Sequence, residues 1–482
     1  MDKQLEKTDL TVGPITRKLV LFALPILAGN IIQQLYNVAD SVIVARFEGP
    51  GAMAAVVVGG PTMMLFNALF MGLSMGGNIL ISQYRGAKQF DTLEKAVNTV
   101  LTCSFIMGTL VTLLGIFFSR GMLVMLGTPE DILESAASYL RIVFIGMNGS
   151  ILYNFSNGMT RGFGDSKTPL YVLTGSCILN ICLDLVFVAL LGWGVEGAAI
   201  ATAIANLLSG AFLMWRFAGG RYGVKISLSR MKKIDLQTVK LMFKLGIPSS
   251  IQSTIMSFGN LFLQSFSNTF GSQFIAANGI VMQIDGFAMM PMFGMSMAVT
   301  TFTGQNIGAG YVERSKKGIV KGVQISVCIA IIMGFMIYNF GSNLIHAYTS
   351  DPTVVAIGSN AMRFLAFFFS FMGINQCLSG AMRGAGAAAV PAALTVVSNL
   401  IRIPVAYFLA MVPNNYMGMF YSMGVNMTLG SVMNFIYYRF GKWHTKGVTG
   451  RGPGGGPPGS PFEDNKDDSG EDDTEEGIPD TV

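Results

Sequence analysis

Few acids interrupt the long apolar stretches of this 482-residue chain, and two of them stand beside amides. Asp40 closes the string Leu35-Tyr36-Asn37-Val38-Ala39-Asp40, with Asn37 three residues earlier and so on the same helical face. Asp184 closes Leu179-Asn180-Ile181-Cys182-Leu183-Asp184, with Asn180 four residues earlier, again on one face. A third string, Gly197-Ala198-Ala199-Ile200-Ala201-Thr202, has small residues that let helices approach closely and a hydroxyl oxygen at Thr202. Two carboxylates with amide and hydroxyl neighbours on three helices make one candidate buried polar site. A carboxylate in low-dielectric surroundings favours its neutral form, so such a site takes a proton from one side and releases it to the other. If it stays ionised, Asp40, Asn180, Asp184 and Thr202 form an oxygen set for Na⁺. The plainer reading is that the acids only tie helices together.

The elements that must hold these residues are membrane helices. Hydrophobic residues make up 51% of the chain and charged ones 12%, against about 25% in soluble domains. Mean hydropathy is +0.53. Disordered, coiled-coil and ordinary soluble classes are thereby excluded. Twelve apolar runs long enough to cross a bilayer of about 30 Å lie near 17–44, 52–82, 96–118, 134–157, 169–191, 196–217, 242–268, 275–304, 321–344, 355–380, 391–412 and 417–438. Basic residues crowd the N-terminal tail and the even-numbered connections, whereas the odd-numbered ones contribute only Arg46 and Arg120. The positive-inside rule then places both termini in the cytoplasm of a multi-pass protein of the inner (plasma) membrane. Residues 451–482 carry ten acids against Arg451 and Lys466, leaving 30 basic and 17 acidic residues, a net of +13, in 1–450. That excess reads as cytoplasmic loops rather than nucleic-acid binding.

The chain repeats itself at an offset of 222–223 residues. Pro25 matches Pro248, Gln83-Tyr84-Arg85-Gly86-Ala87 matches Gln305 to Ala309 at Gln, Gly and Ala, and Arg161-Gly162-Phe163-Gly164 matches Arg383-Gly384-Ala385-Gly386. Each half holds an even number of spans, so the repeat is parallel. The expected fold is all-α and polytopic: twelve transmembrane helices in two six-helix lobes related by a pseudo-two-fold axis along the membrane normal. The corresponding segments are a cytoplasmic 1–16, an N-lobe at 17–217, a linker at 218–241, a C-lobe at 242–438 and a tail at 439–482. That tail is Gly/Pro-rich and then acidic, a composition that cannot bury a core.

The halves differ where chemistry is expected. Asp40 projects onto Leu263, Asn180 onto Arg402 and Asp184 onto Ala406, so coupling should reside in the N-terminal half. The second half offers Asp285, in Gln283-Ile284-Asp285-Gly286, as a charge for a cation-binding cavity. Gln283, Tyr36 and Met256 are further candidates for the cavity wall. Arg402 and Arg363 also lie in apolar runs and should pair with acids or backbone carbonyls. Methionine, at 32 residues, suits adaptable walls. His346 and His444 are the only histidines, too far apart in sequence for a His-based metal site, and no phosphate-binding loop is present. The five cysteines fall in or beside apolar runs and read as small hydrophobes. No catalytic pattern appears, so no enzyme and no cofactor are expected beyond a coupling ion, H⁺ or Na⁺.

These residues carry a resemblance. Pro25, Asn37 with Asp40, the Gln83-to-Ala87 exit, Arg161-Gly162-Phe163-Gly164-Asp165, Asn180 with Asp184, Gly197 to Thr202 and Arg383-Gly384-Ala385-Gly386 together resemble the bacterial multidrug and toxic compound extrusion (MATE) family, nearest its DinF-like branch. The resemblance covers about residues 10–442. It implies two lobes around a central cavity and outward antiport of cationic or amphipathic compounds against H⁺ or Na⁺. It implies that Asp40, Asn180, Asp184 and Thr202 form the cation or proton site with Asn37 and Ala198 close by, that Pro25 is where the first span bends, and that the protein is a monomer. Two features depart from the pattern. No acid occurs in 241–270 or 361–385, where the NorM-like branch carries them, and Val57 stands where the family often has glycine. The alternative is a flippase of lipid-linked precursors from the same superfamily. A channel would need no titratable cluster, and a membrane phosphotransferase would show clustered Asp motifs.

Overall fold

The computed structural model describes residues 8–449 apart from 126, 129 and 221, and of residues 41–65, 131, 132, 228 and 229 it gives only the backbone. Val57 and the acidic tail therefore lie outside the described side chains. Long helices dominate: α1 (Ile15–Gly86), α2 (Phe90–Met125), α3 (Glu130–Gly162), α4 (Lys167–Asp184), α5 (Gly194–Ala218), the short α6 (Leu228–Met231), α7 (Leu236–Asn268), α8 (Ser272–Ala309), α9 (Val312–His346), α10 (Pro352–Ala366), α11 (Phe369–Gly384), α12 (Ala389–Ala406) and α13 (Met417–Phe440). Seven described helices are long and apolar enough to cross a membrane, eight if the bent pair α10 and α11 counts as one span. The helices that miss that test include α3, α7 and α13, whose buried or cavity-facing Asn, Ser, Thr and Gln lower their hydropathy.

The first two expected spans run together as α1. At about 1.5 Å per residue, a straight helix from Leu19 to Gln83 would be roughly 96 Å long. Yet Leu19, Phe22, Ala23 and Ile26 pack with Met295, Ala298, Val299 and Phe302 of α8, and Gly86 abuts Gln305 of the same helix. Both limbs of α1 thus reach one end of α8, so the chain doubles back between residues 40 and 66 and makes two crossings.

Three further expected spans differ in detail. The run 355–380 breaks at Phe367 and Phe368, where hydrogen bonds tighten to i→i+3 (Phe368 N–H to Leu365 C=O, 2.9 Å), and α10 meets α11 at 54°. The runs 169–191 and 391–412 both end in wide π-turns, Leu185–Leu190 and Tyr407–Met411, at positions 222 residues apart. The linker holds α6 and is tied to α2 by Asn98 Nδ2 donating to the Lys225 carbonyl (3.1 Å) and by the Arg230–Glu94 ion pair. It ends at Asp235, which caps α7 by accepting from the Thr238 hydroxyl (2.6 Å) and N–H (2.9 Å). The Thr238 hydroxyl bond holds the Asp235 carboxyl below its ordinary range.

The lobes join at the end that carries the basic connections, through two glutamines at matching repeat positions. Gln305 Oε1 accepts from the Leu10 N–H (2.9 Å) and its Nε2 donates to the Gly162 carbonyl (2.9 Å). Gln83 Oε1 accepts from the Val448 N–H (2.7 Å) and its Nε2 donates to the Gly384 carbonyl (2.8 Å). Each glutamine thus crosses to the other lobe and also pins a segment that flanks the lobes. The described part of the expected tail is therefore docked structure. Gly86 and Gly308 sit against the backbone of Gln305 and Gln83, where any Cβ would overlap a carbonyl oxygen. Asn78 of α1 lies 3.4 Å from the Thr301 hydroxyl of α8 at the same seam. A disulfide between Asn78→Cys and Thr301→Cys is therefore expected to form readily. It should fall at least fivefold when Gly308→Ala is added, as read by gel mobility, because the extra carbon holds the lobes apart.

Candidate functional site

The N-lobe encloses a cavity of about 540 Å³. The first limb of α1 brings Gln33, Tyr36, Asn37 and Asp40 to it, α4 brings Asn180, and α5 brings Ala198 and Thr202. These come from three separate segments, brought together because the small residues of α5 let it lie close against α4. Ala198, Ala199 and Ala201 are all buried. Asp184, fully buried, stands one turn beyond Asn180.

A chain of hydrogen bonds connects them. In the amide orientation that satisfies both of its groups, Asn180 Nδ2 donates to Asp184 Oδ2 (2.8 Å) and to the Tyr36 hydroxyl oxygen (3.2 Å), while its Oδ1 accepts from the Thr202 N–H (3.0 Å). The Tyr36 and Thr202 hydroxyls lie 3.5 Å apart. The carboxyls of Asp40 and Asp184 lie near enough to act on each other electrostatically. Two neighbouring carboxylates in a dry site repel each other, and a proton or a cation between them relieves that repulsion. Among the described residues Asp40 Oδ1 and Asp184 Oδ1 are buried without donors, the open valences a proton or a cation would fill. Asn37 lines the same cavity, with its Oδ1 3.5 Å from Gln33 Nε2.

A second cavity, of about 580 Å³, lies between the lobes. Met256 lines it, with Gln252, Met290, Phe293, Met297 and Met372. At its floor Arg383 donates to the Ser379 (2.7 Å) and Ser296 (3.4 Å) hydroxyls. Gln33 and Met71 line both cavities, so the two adjoin.

Two expected wall residues are placed elsewhere. Gly286, Met290, Phe293 and Met297 form the cavity stripe of α8. Asp285 sits about 100° round the helix from Gly286, on the stripe of Ala288, Met289 and Met292 that enters the C-lobe core. There it is buried, in the field of Arg402 but without an ion pair within 4 Å among the described residues. Gln283 is exposed and outside both linings. Arg363 is exposed rather than held within the bundle. Pro25 lies in the helical first limb of α1, about 22 Å along the axis from Asp40.

Reading acids alone missed the amide lining: Asn67, Asn154 and Asn206 in the N-lobe cavity, and Asn375, Asn399 and Asn426 between the lobes. Asparagines inside apolar runs were the available signal.

The MatE family model matches the chain twice, over residues 25–186 and 248–408, which sets the internal repeat on a family footing. The chain is 30% identical over 438 residues to the probable multidrug resistance protein YpnP of Bacillus subtilis, covering 90% of this chain and 97% of that one. It is 26% identical over 448 residues to the probable multidrug resistance protein NorM of Thermotoga maritima, covering 91% and 96%. A solved structure described as a MATE in complex with MaD3S superposes with a TM-score of 0.85 at 25% identity, covering 91% of this chain and 98% of that one. The twelve-helix, two-lobe architecture of that structure is the architecture here. Repeat, cavity and similarity agree, and the chain belongs to the MatE family of membrane transporters.

Proposed function

We propose that this protein is a secondary active multidrug efflux antiporter of the plasma membrane that exports cationic or amphipathic compounds in exchange for H⁺, acting as a monomer with both termini in the cytoplasm. The observation that carries the reading is the buried Asp184 linked through Asn180 to Tyr36 and Thr202, beside a cavity that Asp40 lines and that adjoins a methionine-lined one. Two acids brought together in a dry site lower their mutual repulsion by taking up a proton, which supports H⁺ as the coupling ion.

The geometry supports a sequence of events. Interlobe hydrogen bonds run from the Ser250 hydroxyl on the Leu69 carbonyl (2.7 Å) to the Gln83 and Gln305 pair at the basic end. With that end cytoplasmic, this is a form closed to the cytoplasm. A proton arriving from outside neutralises the carboxyl pair. Its charge no longer attracts a cation in the adjoining cavity, which leaves outward. Rearrangement of the Tyr36–Asn180–Thr202 bonds alters the seat of the first limb of α1, and Pro25, lacking an N–H, is where that limb bends most cheaply. Opening of the glutamine seam then returns the site to the cytoplasm.

The test is export of a fluorescent cationic dye in everted vesicles, with a pH gradient and a Na⁺ gradient imposed separately. Dye movement at least tenfold above empty vesicles under the pH gradient is expected. Movement under Na⁺ alone would replace the coupling ion. Movement under neither would remove the antiporter reading.

A further inference from the structure

A third cavity, of about 660 Å³, opens at the basic end of the N-lobe, away from the carboxyl pair. Four cationic side chains line it: Arg17 and Lys18 from the start of α1, Lys167 from the start of α4 and Arg216 from the last turn of α5. The one acid among the described residues of its lining, Asp165, is engaged internally. Its Oδ1 accepts from the N–H groups of Lys167 (3.1 Å) and Thr168 (3.0 Å), and its Oδ2 accepts from the hydroxyls of Thr168 (2.7 Å) and Tyr222 (3.1 Å). Lys18 Nζ donates to the Asp9 carbonyl (2.7 Å). Arg216 Nε is buried and meets no acceptor among the described residues. The walls are rigid, because Tyr222 stacks on Phe163 at 4.9 Å between ring centroids and packs against Phe217 at the same distance.

The cavity continues along the membrane-facing surface. Thr168, Tyr171 and Arg216 also line an apolar groove of about 330 Å³ between α4 and α5, walled by Leu179, Leu208 and Phe212. At the junction Tyr171 (69% exposed) and Trp215 (67% exposed) face outward, as interfacial aromatics do. In a membrane protein such a surface meets lipid. A cationic cup that leads into an apolar groove matches an anionic headgroup followed by an acyl chain. Its charge excess rejects a neutral amphiphile as a preferred occupant.

We infer that this cup and groove bind an anionic phospholipid of the surrounding bilayer, with the phosphate among Arg17, Lys167 and Arg216 and one acyl chain between α4 and α5. The shared chemistry of phosphate leaves a soluble anion as the competing occupant, and the groove favours the lipid. This site is independent of the transport reading above.

The experiment uses the full-length chain in detergent micelles, titrated with dioleoylphosphatidylglycerol, dioleoylphosphatidylcholine or inorganic phosphate, with bound lipid read by native mass spectrometry. The wild type should prefer phosphatidylglycerol over phosphatidylcholine by on the order of tenfold. The triple variant Arg17→Gln/Lys167→Gln/Arg216→Gln should bring that preference within twofold while still binding phosphatidylcholine. Gly175→Trp fills the groove without touching a charge, since nothing lies within 4 Å of a Cβ at Gly175, and should weaken phosphatidylglycerol binding at least fivefold. The charge-matched variant Lys316→Gln/Lys317→Gln/Lys321→Gln on the C-lobe should leave the preference unchanged. An equal loss in that control would make the effect general surface charge and overturn the site. Displacement of phosphatidylglycerol by millimolar phosphate, together with unchanged binding in Gly175→Trp, would overturn the lipid in favour of a soluble anion.

Discussion

Asp184→Asn should abolish gradient-driven export while leaving the protein folded. The amide keeps an oxygen to accept the Asn180 Nδ2 bond that Asp184 Oδ2 accepts at 2.8 Å, and its NH₂ is a donor that the Asp40 carboxylate can accept from. What it loses is the ability to titrate. Dye export under the pH gradient should drop at least tenfold, with the unfolding temperature within a few degrees of wild type. Asp40→Asn should do the same, and the double variant should be no worse than either single one, because groups that share one proton act as a unit. Asn180→Leu is a sharper probe of position. It keeps both acids but removes the amide that links Asp184, Tyr36 and Thr202, so export should fall while the pH dependence of what remains shifts. If either aspartate variant exported dye at the wild-type rate under a pH gradient, proton coupling at this pair would be refuted.

Gln83→Ala/Gln305→Ala should favour the form open at the basic end. The two side chains make four hydrogen bonds, three of them buried, and all four go to backbone groups at the lobe tips or in the segments that flank the lobes. A buried backbone group deprived of its partner costs about 1–3 kcal/mol. Opening the seam lets water reach these groups, so only the closed form bears the full loss. A bias of about 3–4 kcal/mol corresponds to a change of roughly 10²–10³ in the ratio of the two forms. Spin labels at Lys95 in the N-lobe and Lys317 in the C-lobe, on a background without native cysteines, report it as a longer distance population. A distribution identical to wild type would show that the glutamines do not hold the seam. Single variants should give about half the free-energy effect, since the repeat gives each glutamine the same task.

Much of the fold was legible because the bilayer imposes simple rules. Length and hydropathy mark the crossings, basic connections mark a side, and the 222-residue offset marks the halves. What stayed hidden is local geometry with no compositional marker. The break at Phe367 and Phe368 has no proline or glycine beside it, and the π-turns follow from packing. For the site, Asp40, Asn180, Asp184 and Thr202 were legible because polar groups in apolar runs are costly and therefore conspicuous. Asp285 looked equally conspicuous, yet one helical step of about 100° carries it from the cavity stripe into the core. Periodicity cannot resolve that step on a helix that is apolar nearly all round. The glutamines were visible only as repeat markers, since nothing in their spacing reveals that they reach across to carbonyls 301 and 143 residues away.

The π-turns bear on the history of the molecule. One begins directly after Asp184 and its twin directly after Ala406, at the same repeat position. A wide turn beside a carboxylate invites the view that it exists to serve the carboxylate. The half with alanine there keeps the turn all the same. The distortion therefore belongs to the ancestral unit that was duplicated, and the acid is a later tenant, or a survivor, in one copy of an older backbone. In that account the asymmetry at this position was reached by changing a side chain on a shared turn.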